Sequence, residues 1–206
     1  MKTSMGQSRL LLVLAGALIG VFALSIVLGG SVNDGYAQGR DFVSALSSRG
    51  ATHAWIGITG LLAFSGANAL TAWVLWARSR AVSWLLMVAA AAGVLAAMAR
   101  INCPSGAARC SLDEETAGDW LDVLHGNAVF VYALALIAAL GTAAWQVKRT
   151  SWRIIFVALA VTSVVALAMT SSATPGTAQR IWLAANAAAL LTLAVSPLGG
   201  GLTRRP

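Results

Sequence analysis

Two histidines, seven carboxylates and two cysteines carry most of this chain's capacity for acid–base, metal or thiol chemistry. His53 and His125 each stand at the start of an apolar run. Asp122 precedes His125 by three residues, a spacing that puts both on one face of a helix, and Asp119 lies about one turn further back. With His53 this set could bind a metal or serve as acid and base on a lipid headgroup. The plainer account is that polar residues mark helix ends where water begins. No cofactor is expected and no metal; if one were held, His53, Asp122 and His125 are the residues that would hold it. Cys103 and Cys110 fall in one loop, Cys103-Pro-Ser-Gly-Ala-Ala-Arg-Cys110. In an oxidising compartment they read as a structural disulfide, and closing so short a loop would stabilise by about 2–3 kcal/mol. A redox relay generally uses Cys-x-x-Cys or a second pair, which this spacing and count do not supply.

The elements that must position these residues follow from composition. Of 206 residues 58% are hydrophobic and 10% charged, with a mean hydropathy of +0.77. A soluble domain carries about 25% charged residues. A cytosolic enzyme, a disordered chain, a disulfide-rich secreted module and a soluble nucleic-acid binder are all excluded. Six stretches approach the roughly 20 apolar residues that cross a bilayer as a helix: 10–30, 53–76, 82–99, 124–145, 154–172 and 181–198. None has an ionisable Asp, Glu, Lys or Arg between its ends, and backbone satisfaction in hydrocarbon makes them helices. The fold class is therefore all-α, a six-transmembrane-helix bundle forming a single integral membrane domain over 1–206. Lys2 and Arg9 ahead of the first stretch also describe a signal peptide. Its length, and Gly16 and Gly20 at GxxxG spacing, favour a retained helix; cleavage would leave five.

Charge orients the bundle. With both termini in the cytoplasm, that side holds Lys2, Arg9, Arg78, Arg80, Lys148, Arg149, Arg153, Arg204 and Arg205 and no acid. The other side holds all seven acids with Arg40, Arg49, Arg100, Arg109 and Arg180. This is the positive-inside rule, so the net charge of +7 reports topology and not a nucleic-acid partner. Trp76, Trp145 and Trp152 fit a cytoplasmic aromatic belt, and Trp55, Trp120 and Trp182 an outer one. Loops 77–81 and 146–153 are short, so chemistry is expected at the outer loops, 31–52 and 100–123. The expected location is a bacterial plasma (inner) membrane.

Within the spans, Ser65, Asn68 and Thr71 form a loose polar stripe, with Asn127, Thr162, Ser163 and Asn186 on other helices. Interhelical hydrogen bonds, about 0.6 kcal/mol each, account for them simply. Asn68, Asn127 and Asn186 are also the candidates for a ligand path. No span carries an ionisable group of the kind that ion-coupled transport uses. Ala89, Gly93 and Ala97 read as a close-packing face. Membrane lipids are the expected partners, with a second membrane protein or another copy of the chain joined through such small-residue faces.

The first outer loop, Tyr36-Ala-Gln-Gly-Arg-Asp41-Phe42-Val-Ser44-Ala-Leu46-Ser-Ser-Arg-Gly50, the cysteine loop and His125 at the mouth of the fourth span together resemble the bacterial membrane-protein family called "domain of unknown function 998". Its members resemble this chain in six predicted spans, an Asp-x-x-Ser-x-Leu-like segment after the first, and a His opening the fourth. The resemblance covers roughly residues 10–200. It implies a plasma-membrane bundle, supplies no activity, and directs attention to Asp41, Ser44, Cys103, Cys110 and His125. Read from the residues alone, Asp41 would cap a short amphipathic helix through Leu46, with Phe42, Val43 and Leu46 on the membrane surface. Three functions follow in order of expectation. The first is a non-enzymatic lipid- or small-molecule-binding protein or partner subunit. The second is an outer-leaflet lipid-modifying enzyme using His125, Asp122 and His53, with Asp41 and Ser44 as further catalytic candidates. The third is a small-molecule transporter with a path between the second and sixth helices at Asn68 and Asn186.

Overall fold

The computed structural model describes residues 5–102, 119–171 and 174–198, which form six α-helices and no strand. They are α1 (Met5–Val32), α2 (Ala54–Leu75), α3 (Arg80–Met98), α4 (Trp120–Gln146), α5 (Thr150–Ala168) and α6 (Pro175–Val195), with short 310 turns at Val43–Ser47 and Met169–Ser171. At 1.5 Å per residue, helices of 19 to 28 residues measure about 28–42 Å, enough for a hydrocarbon core of about 30 Å. All six are long and apolar enough to span. The chain is a multi-pass membrane protein.

Helices α2 to α6 follow one another round a ring that α6 closes against α2, and α1 packs on the outside of α2. Only 17% of the most apolar stretch of α1, and 17% of that of α5, is buried inside the chain, so these two are the peripheral helices. The centre is filled by alanine at full burial (Ala67, Ala89, Ala97, Ala139, Ala143, Ala189) around Leu86, Leu140, Leu193 and Phe156. Small side chains let the helix backbones approach where no hydrophobic effect drives them together. The Ala89–Gly93–Ala97 face behaves as its spacing predicts: a Cβ on Gly93 would lie 2.4 Å from Ser65 Oγ. The GxxxG of α1 does not. A Cβ on Gly16 or Gly20 meets nothing within 4 Å, and the close α1–α2 contact uses Gly60 instead, whose Cβ would strike Ser25.

The helix ends explain several boundaries. Thr174 precedes Pro175 at the first helical position, where a fixed φ and a missing N–H cost nothing, so α6 starts six residues earlier than its hydropathy implies. That places Gln179 and Arg180 on a helix. Ser79 caps α3 by accepting from Val82 N–H at 3.3 Å. At the bundle end that carries the α2–α3 and α4–α5 loops, arginines do more than mark topology. Arg78 donates to the last carbonyls of α6 (Ala194 O, 3.3 Å) and Arg153 to those of α4 (Ala144 O, 3.2 Å), satisfying orphan C-terminal acceptors.

Asp119 caps α4. Its Oδ1 accepts from Leu121 N–H at 2.9 Å, and its carboxylate pairs with Arg49. The backbone N–H first, and the guanidinium second, hold its carboxyl below the ordinary carboxylate range. A carboxyl depressed by folding adds stability above its unfolded value, and that stability disappears as pH falls through the folded value. The contribution of Asp119 to the melting midpoint is therefore expected to be constant from pH 8 to 5 and to fall away below about pH 4. Asp119→Asn, which keeps a cap acceptor but loses the charge, should show a smaller acid-side drop by circular dichroism.

Candidate functional site

At the end of the bundle that carries the α1–α2, α3–α4 and α5–α6 loops, the chain between α1 and α2 folds into the mouth of the ring. The turn begins at Gly35, the one described residue with a positive φ (73°), a conformation that suits glycine. Asp41 closes it, accepting from Ala37 N–H at 2.7 Å and from Arg40 Nε at 2.9 Å. The expectation that Asp41 caps an amphipathic helix on the membrane surface is overturned. Phe42 holds the N-cap position without a side-chain bond, and all five residues of the following 310 turn, Val43–Ser47, are buried. Two glycines make room for this. A Cβ on Gly57 would lie 2.6 Å from the Leu46 backbone, and one on Gly176 would lie 2.4 Å from Asp41 O.

Two helices clamp the inserted segment. Gln179 of α6 accepts from Val43 N–H through Oε1 at 2.5 Å. Arg180 donates to Gln38 O, to Asp41 O at 3.2 Å and to the Tyr36 hydroxyl, with its guanidinium 5.5 Å from the Tyr36 ring centroid. Burial pushes the Tyr36 phenol above its ordinary value, against the opposing pull of Arg180, and keeps it neutral. From the end of α3, Arg100 donates to Ser47 O at 3.0 Å and Ser48 O at 2.7 Å.

Beneath this plug lies a cavity of about 50 Å³, walled by the plug, α2, α3, α4 and α6. That is room for a group of a few heavy atoms, since one water needs about 10–15 Å³ on this scale. His125 is one of its polar lining residues. Its Nδ1 lies 2.9 Å from Ala96 O and 3.0 Å from Ala99 O. Both partners can only accept, so Nδ1 carries the proton and donates. The ring thereby caps the C-terminal carbonyls of α3, and in the neutral imidazole Nε2 is left with a lone pair. No protein donor among the described residues takes that lone pair.

The other polar groups on the wall follow from the same inventory. Gln179 Oε1 is committed to Val43, which leaves its amide N–H groups to donate. The Tyr132 hydroxyl accepts from Asn68 Nδ2 at 3.4 Å, which leaves its proton. Ser65 donates back to Leu61 O at 2.9 Å, and Ser44 contributes a hydroxyl from the plug. Val43, Leu61, Phe64, Val129, Trp182 and Leu183 make most of the rest of the wall. Among the described residues lining it none is charged.

The structure brings together two of the five catalytic candidates, His125 and Ser44, but no hydrogen bond joins them. Asp41 supports the plug from behind. Asp122 does not line the cavity: its Oδ1 accepts from Asn102 N–H at 2.8 Å, with Arg49 at 3.8 Å. His53 sits half-buried at the N-cap of α2, where its backbone N–H donates to Asn33 Oδ1 at 3.1 Å. Among the described residues no three His, Cys, Asp or Glu side chains gather as a metal site would require. Cys103, Cys110 and Arg109, with the acids Asp113, Glu114 and Glu115, lie outside the described residues.

Of the path candidates, Asn68 and Asn186 are fully buried and stand off the cavity wall. Asn68 links α2 to α4 through Tyr132, and Asn186 links α6 to α5 by accepting from Ser163 Oγ at 3.0 Å. Asn127 faces outward near the start of α4. Trp182 is 3% exposed and packs edge-on to Tyr132, so it belongs to the cavity and not to an interfacial belt. Tyr132, Gln179 and Trp182 are the wall residues that hydropathy does not reveal. The spacing holds a signal for them: Tyr132 lies two helical turns beyond His125, and Gln179 and Trp182 are three apart on one face.

A ring of apolar helices, plugged at one end by its own loop and holding there a cavity with no charge among its described lining residues, defines a polytopic membrane protein with an internal site in one half of its depth. The chain belongs to the family described as "Protein of unknown function (DUF998)", whose model matches residues 14–196. No curated protein and no solved structure matches it.

Proposed function

We propose that this protein is a non-enzymatic binding protein of the bacterial inner membrane, with both termini in the cytoplasm and its cavity in the outer half of the bilayer. The cavity receives the polar head of an amphiphile from the outer leaflet. The observation that carries this reading is His125 on the wall of a mainly apolar cavity, its Nε2 without a partner among the described residues. Its location supports the source of the ligand. Counting residues from the helix ends, His125 and Tyr132 lie about 7 and 18 Å along α4, at hydrocarbon and not at aqueous depth. The segregated charges support the orientation. Of the described residues an acid–base enzyme would use, His125 and Ser44 line the cavity, and no described carboxylate orients the imidazole, because backbone carbonyls hold Nδ1. This favours recognition over catalysis.

Val129→Phe tests the reading, because it fills the cavity from a half-buried wall position without adding charge. Mass spectrometry of lipid retained through detergent purification should show at least a tenfold loss of a specific species in the variant. The melting midpoint should stay within a few degrees. Equal retention by both proteins would contradict the assignment.

A further inference from the structure

Resting on that reading, we infer that the ligand is a lipid alcohol: an uncharged amphiphile whose head is a free hydroxyl group, of the diacylglycerol kind. Among the described wall residues, His125 Nε2 can only accept, and three groups have protons to give: the Gln179 amide, the Tyr132 hydroxyl and the Ser44 hydroxyl. One hydroxyl meets both needs, donating to the imidazole while its oxygen accepts from the amide or the phenol. An ether or ester oxygen meets only the second and leaves the imidazole lone pair desolvated and unpaired, which sites built around a hydrogen bond discriminate against strongly.

Charge narrows the class further. No described residue on the wall carries a charge, so a phosphate or ammonium head would be desolvated without a counter-charge, which costs far more than one hydrogen bond returns. Arg180 and Arg100 are nearby cations, but neither lines the cavity: Arg100 bonds the plug backbone, and Arg180 bonds it through Nη1 while its buried Nε has no partner. Volume agrees: about 50 Å³ admits a hydroxymethyl group and little more, so the acyl chains stay outside the cavity.

The test uses the full chain in phosphatidylcholine nanodiscs doped with dioleoylglycerol, its O-methyl ether or dioleoylphosphatidic acid, with bound lipid counted by native mass spectrometry. Dioleoylglycerol should bind saturably and at least tenfold more tightly than the methyl ether, with phosphatidic acid no better than the phosphatidylcholine background. Free glycerol at millimolar concentration should not displace it. His125→Phe should abolish the preference for alcohol over ether. Should that variant fail to insert, the ligand series on the unaltered protein decides alone. Equal binding of alcohol and ether, both lost in Val129→Phe, would overturn the lipid-alcohol assignment while leaving the binding cavity in place. Tighter binding of phosphatidic acid, or displacement by glycerol, would overturn it as well. Failure of every lipid to bind saturably, with unaltered lipid retention in Val129→Phe, would overturn both readings together.

Discussion

Arg180→Met should cost about 2–4 kcal/mol of stability and release the plug from the mouth of the ring. The guanidinium donates to Gln38 O, Asp41 O and Gly176 O through one nitrogen and to the Tyr36 hydroxyl through another. Hydrogen bonds from a charged donor contribute about 1.5–3 kcal/mol each, and partial solvent access reduces the sum. Methionine keeps the length and apolar stem of the side chain, so the loss reports the bonds and not a cavity. Arg180→Lys should recover only part of it, because an ammonium lacks the planar fork that reaches several acceptors at once. Thermal melts of the three proteins in one detergent measure this. Equal midpoints for Arg180→Met and the unaltered chain would show that Arg180 does not hold the plug.

Gly57→Val attacks the same segment from α2. Here the 2.6 Å approach of the Leu46 backbone leaves no room for a Cβ, and backbone cannot rotate away as a side-chain tip can. Overpacking of this kind costs about 1–3 kcal/mol. Because the plug is the element that yields, the cavity should open as well. In a background with Cys103 and Cys110 replaced by serine, a Ser44→Cys reporter should react slowly with a maleimide in the parent chain, since Ser44 is 8% exposed. The reaction should be at least tenfold faster with Gly57→Val added. Unchanged labelling would mean that the plug tolerates the added methyl groups in place.

Most of the architecture was legible because hydrocarbon permits so few solutions: long uncharged apolar runs have to be helices, and six of them are. The start of α6 was hidden because hydropathy fades at Gln179 and Arg180, although Thr174-Pro175 is a helix-start signal in its own right. The α1 GxxxG was misleading for a different reason. Spacing identifies a face that could pack closely, but the partner surface decides whether it does, and Ser25 opposite Gly60 was the pair that fitted. At the site, the Asp122–His125 spacing correctly puts both on α4, yet spacing says nothing about competitors. Asn102 N–H takes the Asp122 carboxylate, and the carbonyls of Ala96 and Ala99 take His125 Nδ1. A tryptophan near a helix end fits an interfacial belt as readily as a buried wall, so the position of Trp182 along the chain does not separate the two. Ser44 and His125 were found, but their meeting in one cavity depends on a loop dropping between helices, which two glycines permit and no periodicity announces.

The proposed occupant of this cavity, with His125 in its wall, is the head of a membrane amphiphile. The most direct measurement is a density map of the full chain in nanodiscs made from its own membrane lipids. Lipid density should end between Ser44 and His125, with its polar tip about 2.7–3.2 Å from Nε2. A cavity closed by protein side chains, with lipid confined to the outer surface of the helices, would contradict it.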